Sequence, residues 1–151
     1  MNVRAFVLST LVAGVVIGFL ANLPVLNLIN CALCSWVWIG GILAVLLYRW
    51  FQHGKPGLSV GQGAGLGALS GLIGALVGVV VFFVTSPLSI SIFNNLARGL
   101  RIGGEPPFRA GDFWELAGTA LIFLVLDAVL YPIFGALGGV IAASITKESH
   151  A

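Results

Sequence analysis

Charge is what this chain has least of: five acids and seven Lys or Arg among 151 residues, 8% of the sequence. Soluble domains carry about 25% charged residues, so a globule of this composition would have no water-compatible surface. A formal net charge of +2 is too small for a nucleic-acid footprint. Two cysteines exclude a disulfide framework. The two histidines, His53 and His150, fall outside the apolar runs, so a haem- or pigment-binding bundle is disfavoured and neither is read as a metal ligand. No cofactor is expected. What the chain has in excess is apolar residues, 59%, and 21 glycines, with a mean hydropathy of +1.10. The length fits one compact membrane domain of about four spans.

The stretch 59–84, SVGQGAGLGALSGLIGALVGVVVFFV, organises the rest. Ser59 and Gln62 have capping-box spacing, hydroxyl to the backbone N–H three residues on and amide reaching back. No charge then occurs before Arg98. The segment 63–84 rises about 33 Å as a helix, enough for a hydrocarbon core of about 30 Å. Gly63, Gly67 and Gly71 recur every fourth residue, and Gly74 and Gly78 repeat the interval. Such a row leaves a groove without side chains, and helices in lipid associate by close backbone approach at such grooves.

Before it, 5–21 is a first span, with Gly14 and Gly18 suited to docking on the third. It is read as a span, not a cleaved leader, because the apolar run is long and no clear A-x-A site follows. Asn22, Pro24, Asn27 and Asn30 break the pattern without charge and suggest a tight, re-entrant-like hairpin. The second span is 31–48, with Trp36 and Trp38 near one end and Tyr48 and Trp50 at the other, as in interfacial aromatic belts. After the third span, 61–84, Thr85, Ser86 and Pro87 suit a fresh helix start. The segment 87–100 then places Leu88, Ile92, Phe93, Leu96 and Leu100 on one face, an amphipathic helix lying in the interface. Asp112 and Glu115 have capping-box spacing ahead of the last span, 115–145. That span is long enough to need tilt, protrusion or a kink at Pro132. Gly135, Gly138 and Gly139 form a third close-packing patch. The expected architecture is an all-α integral membrane protein with four transmembrane helices and one interfacial amphipathic helix in a single domain, 1–151.

With four spans both termini share a side. Arg4, Arg49, Lys55 and Lys147 lie there, and Arg98, Arg101 and Arg109 lie opposite, so the positive-inside rule favours cytoplasmic termini by a small margin. Part of the opposing charge sits in the amphipathic segment, where anionic lipid would hold it.

The run from Pro24 through Asn27, Asn30, Cys31, Cys34 and Trp36, then Gly40, Gly41, Ala44 and Tyr48, resembles a group of small prokaryotic polytopic membrane proteins of uncharacterised activity. They show a P-x-L-N start, a Cys-containing helix start, G-G-x-x-A and a terminal Tyr. The segments 60–64 and 133–139 are similar to the same group, and 85–111 is not. The resemblance implies a prokaryotic inner or cell membrane and transfers no functional residue.

Three features bear on chemistry. Cys31 and Cys34 form C-x-x-C at a helix start, where the dipole lowers a thiol pKa. A thiol-redox role wants a βαβ context that is missing here, and a zinc site needs two more ligands. The plainer reading is two small apolar thiols. Asp127 is the one acid inside an apolar span, with Tyr131 one turn on. Such an acid serves a proton or cation relay, or stays neutral and hydrogen-bonded to Tyr131, a Ser or an Asn. The glycine-rich 61–67 lacks the lysine and the strand of a phosphate loop, so helix packing is the better account.

The expected function is therefore non-enzymatic. The chain reads as a structural or accessory membrane subunit that self-associates or joins a larger complex through Gly14, Gly18, Gly63, Gly67, Gly71, Gly74, Gly78, Gly135 and Gly139. A second reading is an oligomeric proton, ion or small-solute transporter or channel using Asp127. A third is thiol-redox or metal handling by Cys31 and Cys34.

Overall fold

In the computed structural model, residues 2–23, 35–52, 58–99 and 113–148 are described, and every element among them is a helix. These are α1, Val3–Ala21; α2, Ser35–Phe51; α3, Val60–Gly99; and α4, Phe113–Glu148. At 1.5 Å per residue they measure about 29, 26, 60 and 54 Å. Three carry segments long and apolar enough to cross a membrane: Val3–Ala21, Val60–Ile92 and Ala117–Thr146. The apolar part of α2, Trp36–Phe51, is shorter.

Local chemistry sets the helix starts. Asn2 accepts a hydrogen bond from the Arg4 backbone N–H at 3.1 Å and caps α1. At α3 both bonds of the Ser59–Gln62 capping box form: the Gln62 N–H donates to Ser59 Oγ at 3.2 Å, and the Ser59 N–H donates to Gln62 Oε1 at 3.1 Å. Replacing Ser59 by Ala removes one of the two, and we expect it to lower unfolding free energy by about 1 kcal/mol. Denaturant titration in mixed micelles measures this, with Ser59→Asp retaining most of the stability. The second capping pair lies outside the description: α4 begins at Phe113, and neither Asp112 nor the Glu115 side chain is described.

The segment 85–87 does not end a helix. α3 runs through Pro87 in one piece to Gly99, where the sequence suggested a third span followed by a separate helix. The reason lies in the hydroxyls. Pro87 has no N–H for the carbonyl one turn back, that of Phe83. Ser86 Oγ donates to that carbonyl instead, at 3.3 Å. Thr85 Oγ1 donates to the Val81 carbonyl at 2.8 Å. Ser and Thr hydroxyls re-satisfy freed backbone groups this way in apolar helices. Pro132 is likewise contained within α4.

Contacts fix the directions. Phe6 of α1 meets Tyr48 of α2 edge-on, ring centroids 6.5 Å apart, and Ile17 lies against Gly40, so α1 and α2 are antiparallel. Gly14 and Gly18 meet Ile73 and Val77, so α1 and α3 are parallel. Gly63 meets Gly139, Gly71 meets Tyr131, and Phe82 meets Phe123 at 6.2 Å, so α3 and α4 are antiparallel. The result is an up-down-up-down bundle with the start of α1 and the end of α4 at one end. The α3–α4 pair packs most extensively, and the backbones of α1 and α4 do not approach closely among the described residues. Two apolar clusters fill the interior. One holds Ala13, Val45, Tyr48, Leu66 and Ala143, and the other holds Ile17, Ala21, Val37, Ala75 and Tyr131.

The distribution of side chains is the reverse of a water-soluble bundle. Large apolar residues face outward, among them Leu76, Val84, Leu121, Ile122, Val129 and Ile133. The buried set is rich in small residues, Ala5, Ser9, Ala13, Ala44, Ser70, Ala75 and Ala143. The buried hydroxyls bond within their own helices: Ser9 and Thr10 to the Phe6 carbonyl at 3.0 Å, and Ser70 to the Gly67 carbonyl at 2.9 Å.

Candidate functional site

The most extensive contact among the described helices is the crossing of α3 and α4. A methyl group added at Gly67 would strike the carbonyl of Gly135, and one added at Gly135 would strike the carbonyl of Gly67. Gly63 and Gly139 face each other in the same reciprocal way, and Gly71 lies on the Tyr131–Pro132 peptide. The backbones touch there, close enough for Cα–H···O=C contacts. Gly41 of α2 reaches the same Gly135 carbonyl, and Gly138 lies on the Trp38 carbonyl. Gly135 is thus the point where three helices meet.

Gly63, Gly67, Gly71, Gly74 and Gly78 occupy one arc of α3, about 80° wide at 100° per residue. Two neighbours share that arc. The first three glycines face α4. Gly74 and Gly78 face α1, where a methyl at Gly74 would stand 3.2 Å from Ile17 Cγ2 and one at Gly78 would stand 2.6 Å from Asn22 Nδ2. From α1, a methyl at Gly14 would stand 2.6 Å from Ile73 Cγ2 and one at Gly18 would stand 2.6 Å from the Gly74 carbonyl. By contrast, a methyl at Gly61, Gly65, Gly99 or Gly118 would meet nothing within 4 Å among the described residues.

Asn22 plays a part that the sequence does not announce. It is the C-cap of α1, its N–H bonded to the Phe19 carbonyl at 3.3 Å. Its Nδ2 donates to the Gly18 carbonyl at 2.9 Å, and its own carbonyl accepts from Thr85 Oγ1 at 3.5 Å. The amide therefore closes α1 and seats that end on α3. At the opposite end, Gln52 Nε2 donates to the Tyr48 hydroxyl at 2.7 Å.

Asp127 and Tyr131 lie one turn apart on α4. Tyr131 is buried in the cluster with Ile17, Val37 and Ala75. Asp127 is half-buried between exposed Leu126 and Val129. Among the described residues it has no hydrogen-bond or ion-pair partner, so the bond to Tyr131 that the sequence allowed does not form. Two contacts bracket its height, Gly71 with Tyr131 and Phe82 with Phe123. Asp127 therefore sits level with Gly74 and Gly78, where α1 ends, and not at the middle of the short helices. The indole N–H of Trp38 is buried without a partner among the described residues, its ring stacked on Phe134 at 5.9 Å.

Cys31, Cys34, Asn27, Asn30 and His53 lie outside the described residues, so the thiol pair and most of the Asn-rich turn have no geometry to report. Among the described residues no three His, Cys, Asp or Glu side chains come together to hold a metal ion. The arrangement supports close helix packing and a single acid at one height of the bundle. No protein-family model, curated protein or solved structure matches this chain.

Proposed function

We propose that the chain is an integral membrane protein of four spans, without catalysis, that serves as a structural or accessory subunit of a membrane assembly. The observation that carries the membrane part is the reversed burial pattern, Leu, Val, Ile and Phe outside and Gly, Ala and Ser inside. Burying those outward residues in lipid is worth about 25 cal/mol per Å² of apolar surface. α2 becomes a fourth span because it lies between three longer ones with Val37, Ala44 and Val45 fully buried, its 17 residues tolerable with modest thinning or flanking anchors. The termini then share a side, which the basic residues favour as cytoplasmic.

On this reading the glycine rows are occupied within the chain itself. Gly14, Gly18, Gly63, Gly67, Gly71, Gly74, Gly78, Gly135 and Gly139 all meet other helices of the same chain. A second copy or a partner then docks on the outer apolar side chains. Extraction from membranes in polymer nanodiscs, which retain neighbouring lipid, followed by native mass measurement tests the reading. A stoichiometric partner or a second copy is expected; a lone chain in every preparation would remove the subunit role.

The half-buried Asp127, without a hydrogen-bond or ion-pair partner among the described residues, supports a second reading, a proton- or ion-conducting oligomer. Its level with the end of α1 supports a permeation path that enters from that end of α1. In liposomes of the purified chain, Asp127→Asn is then expected to reduce a pH-driven flux at least tenfold with assembly unchanged. Equal flux in both proteins, or none in either, eliminates this second reading.

A further inference from the structure

We propose that residues 85–87 are a hinge, and that in a bilayer the distal part of α3 pivots there from a straight continuation into the plane of the interface. Four observations converge on this point. The first is length: α3 as a straight helix is about 60 Å, twice a hydrocarbon core of about 30 Å. The second is support. α1 ends at Ala21, and its cap Asn22 makes its contacts at Gly78 and Thr85, so α1 holds α3 up to the hinge and no farther. The third is the bonding at the hinge itself. The main-chain bond to Phe83 is replaced by a side-chain hydroxyl at 3.3 Å, and Thr85 Oγ1 is shared between Val81 and the α1 cap. A hydroxyl can re-aim when the helix bends, whereas a backbone N–H cannot. The fourth is what lies beyond. Leu88 and Ile92 are exposed on adjoining turns, 57% and 40%, next to exposed Ser91, Asn95 and Arg98. That exposed set matches an apolar–headgroup boundary.

The test uses the full chain in liposomes, with Cys31→Ser and Cys34→Ser as background and spin labels at Gly65→Cys and Asn95→Cys. Gly65 has open space around it and Asn95 is exposed. A straight helix separates the two sites by about 45 Å, and a right-angle bend at Pro87 shortens this to about 35 Å. We expect a short or two-peaked distance distribution that Pro87→Ala converts to the single long distance. A long distance in both proteins overturns the hinge, and so does a short distance that Pro87→Ala leaves unchanged. A label at Ile92 gives an independent reading on the chain with Pro87 intact: quenching by oxygen over a water-soluble nickel complex is expected, and the reverse order overturns the interfacial position.

Discussion

Gly67→Leu abolishes the native bundle, whereas Gly65→Leu, two residues away, shifts its melting temperature by no more than about 2 °C. The difference is one of facing. A side chain at Gly67 collides with the Gly135 carbonyl, and one at Gly65 meets nothing within 4 Å. A carbonyl in a helix cannot rotate aside, so even Gly67→Ala must push α3 and α4 apart. Overpacking of this kind costs about 1–3 kcal/mol, more where backbone must move. Separation at Gly67 also weakens the reciprocal contact of Gly63 with Gly139, one turn along. Thermal melting of the three variants in one detergent measures the ordering Gly65→Leu, Gly67→Ala, Gly67→Leu. Equal melting temperatures for Gly65→Leu and Gly67→Leu would contradict it.

The second large effect is a compensation. Gly40 of α2 is filled by the δ and γ carbons of Ile17 from α1, a side chain only 1% exposed. Gly40→Ala adds a methyl where Ile17 already is, but the obstacle is the end of a side chain and can move. The cost is therefore smaller than at Gly67. Ile17→Ala leaves a void. Lipid is as apolar as the interior, so the transfer part of the usual penalty is nearly absent. We expect about 1–2 kcal/mol, below the range of about 2–5 kcal/mol for such changes in water-soluble cores. Combined, the two changes fit each other. The double variant should be more stable than the sum of the singles by about 1 kcal/mol, within the usual range for residues in contact. A cycle of unfolding free energies reads this directly. Additivity would mean that Ile17 does not occupy the Gly40 notch.

Much of this was visible in the sequence because the signals were local or compositional. The shortage of charge and the long apolar runs imply membrane helices, and three of the four helices are long and apolar enough. The Ser59–Gln62 spacing implies a cap, and both bonds are present. A row of glycines implies close approach, but a row does not name its neighbour. Gly71 and Gly74 differ by less than one turn and meet different helices, because the choice depends on the crossing angles of α1 and α4. The run at 85–87 reads as a helix start by capping preference, yet Ser86 turns its hydroxyl backward to Phe83 and α3 continues. Preferences measured at helix ends do not register a hydroxyl that repairs a helix interior. The seat of Asn22 on Gly78 joins residues far apart in the chain, so spacing carries no trace of it. The candidate site is thinner. Asp127 stands out by charge alone, but its height in the bundle depends on how α3 and α4 register. Chemistry beyond that was not legible, since no motif brings convergent polar groups together.

The central claim is that α3 and α4 touch backbone to backbone within one chain. Carbon-13 glycine-labelled protein in bilayers, diluted into unlabelled chain and studied by magic-angle-spinning NMR, tests it most directly. Cross-peaks joining Gly63 to Gly139 and Gly67 to Gly135 are expected, with intensity per labelled chain unchanged by dilution. If these glycines correlate only with lipid acyl carbons, or their mutual peaks vanish on dilution, the ridges do not close this bundle.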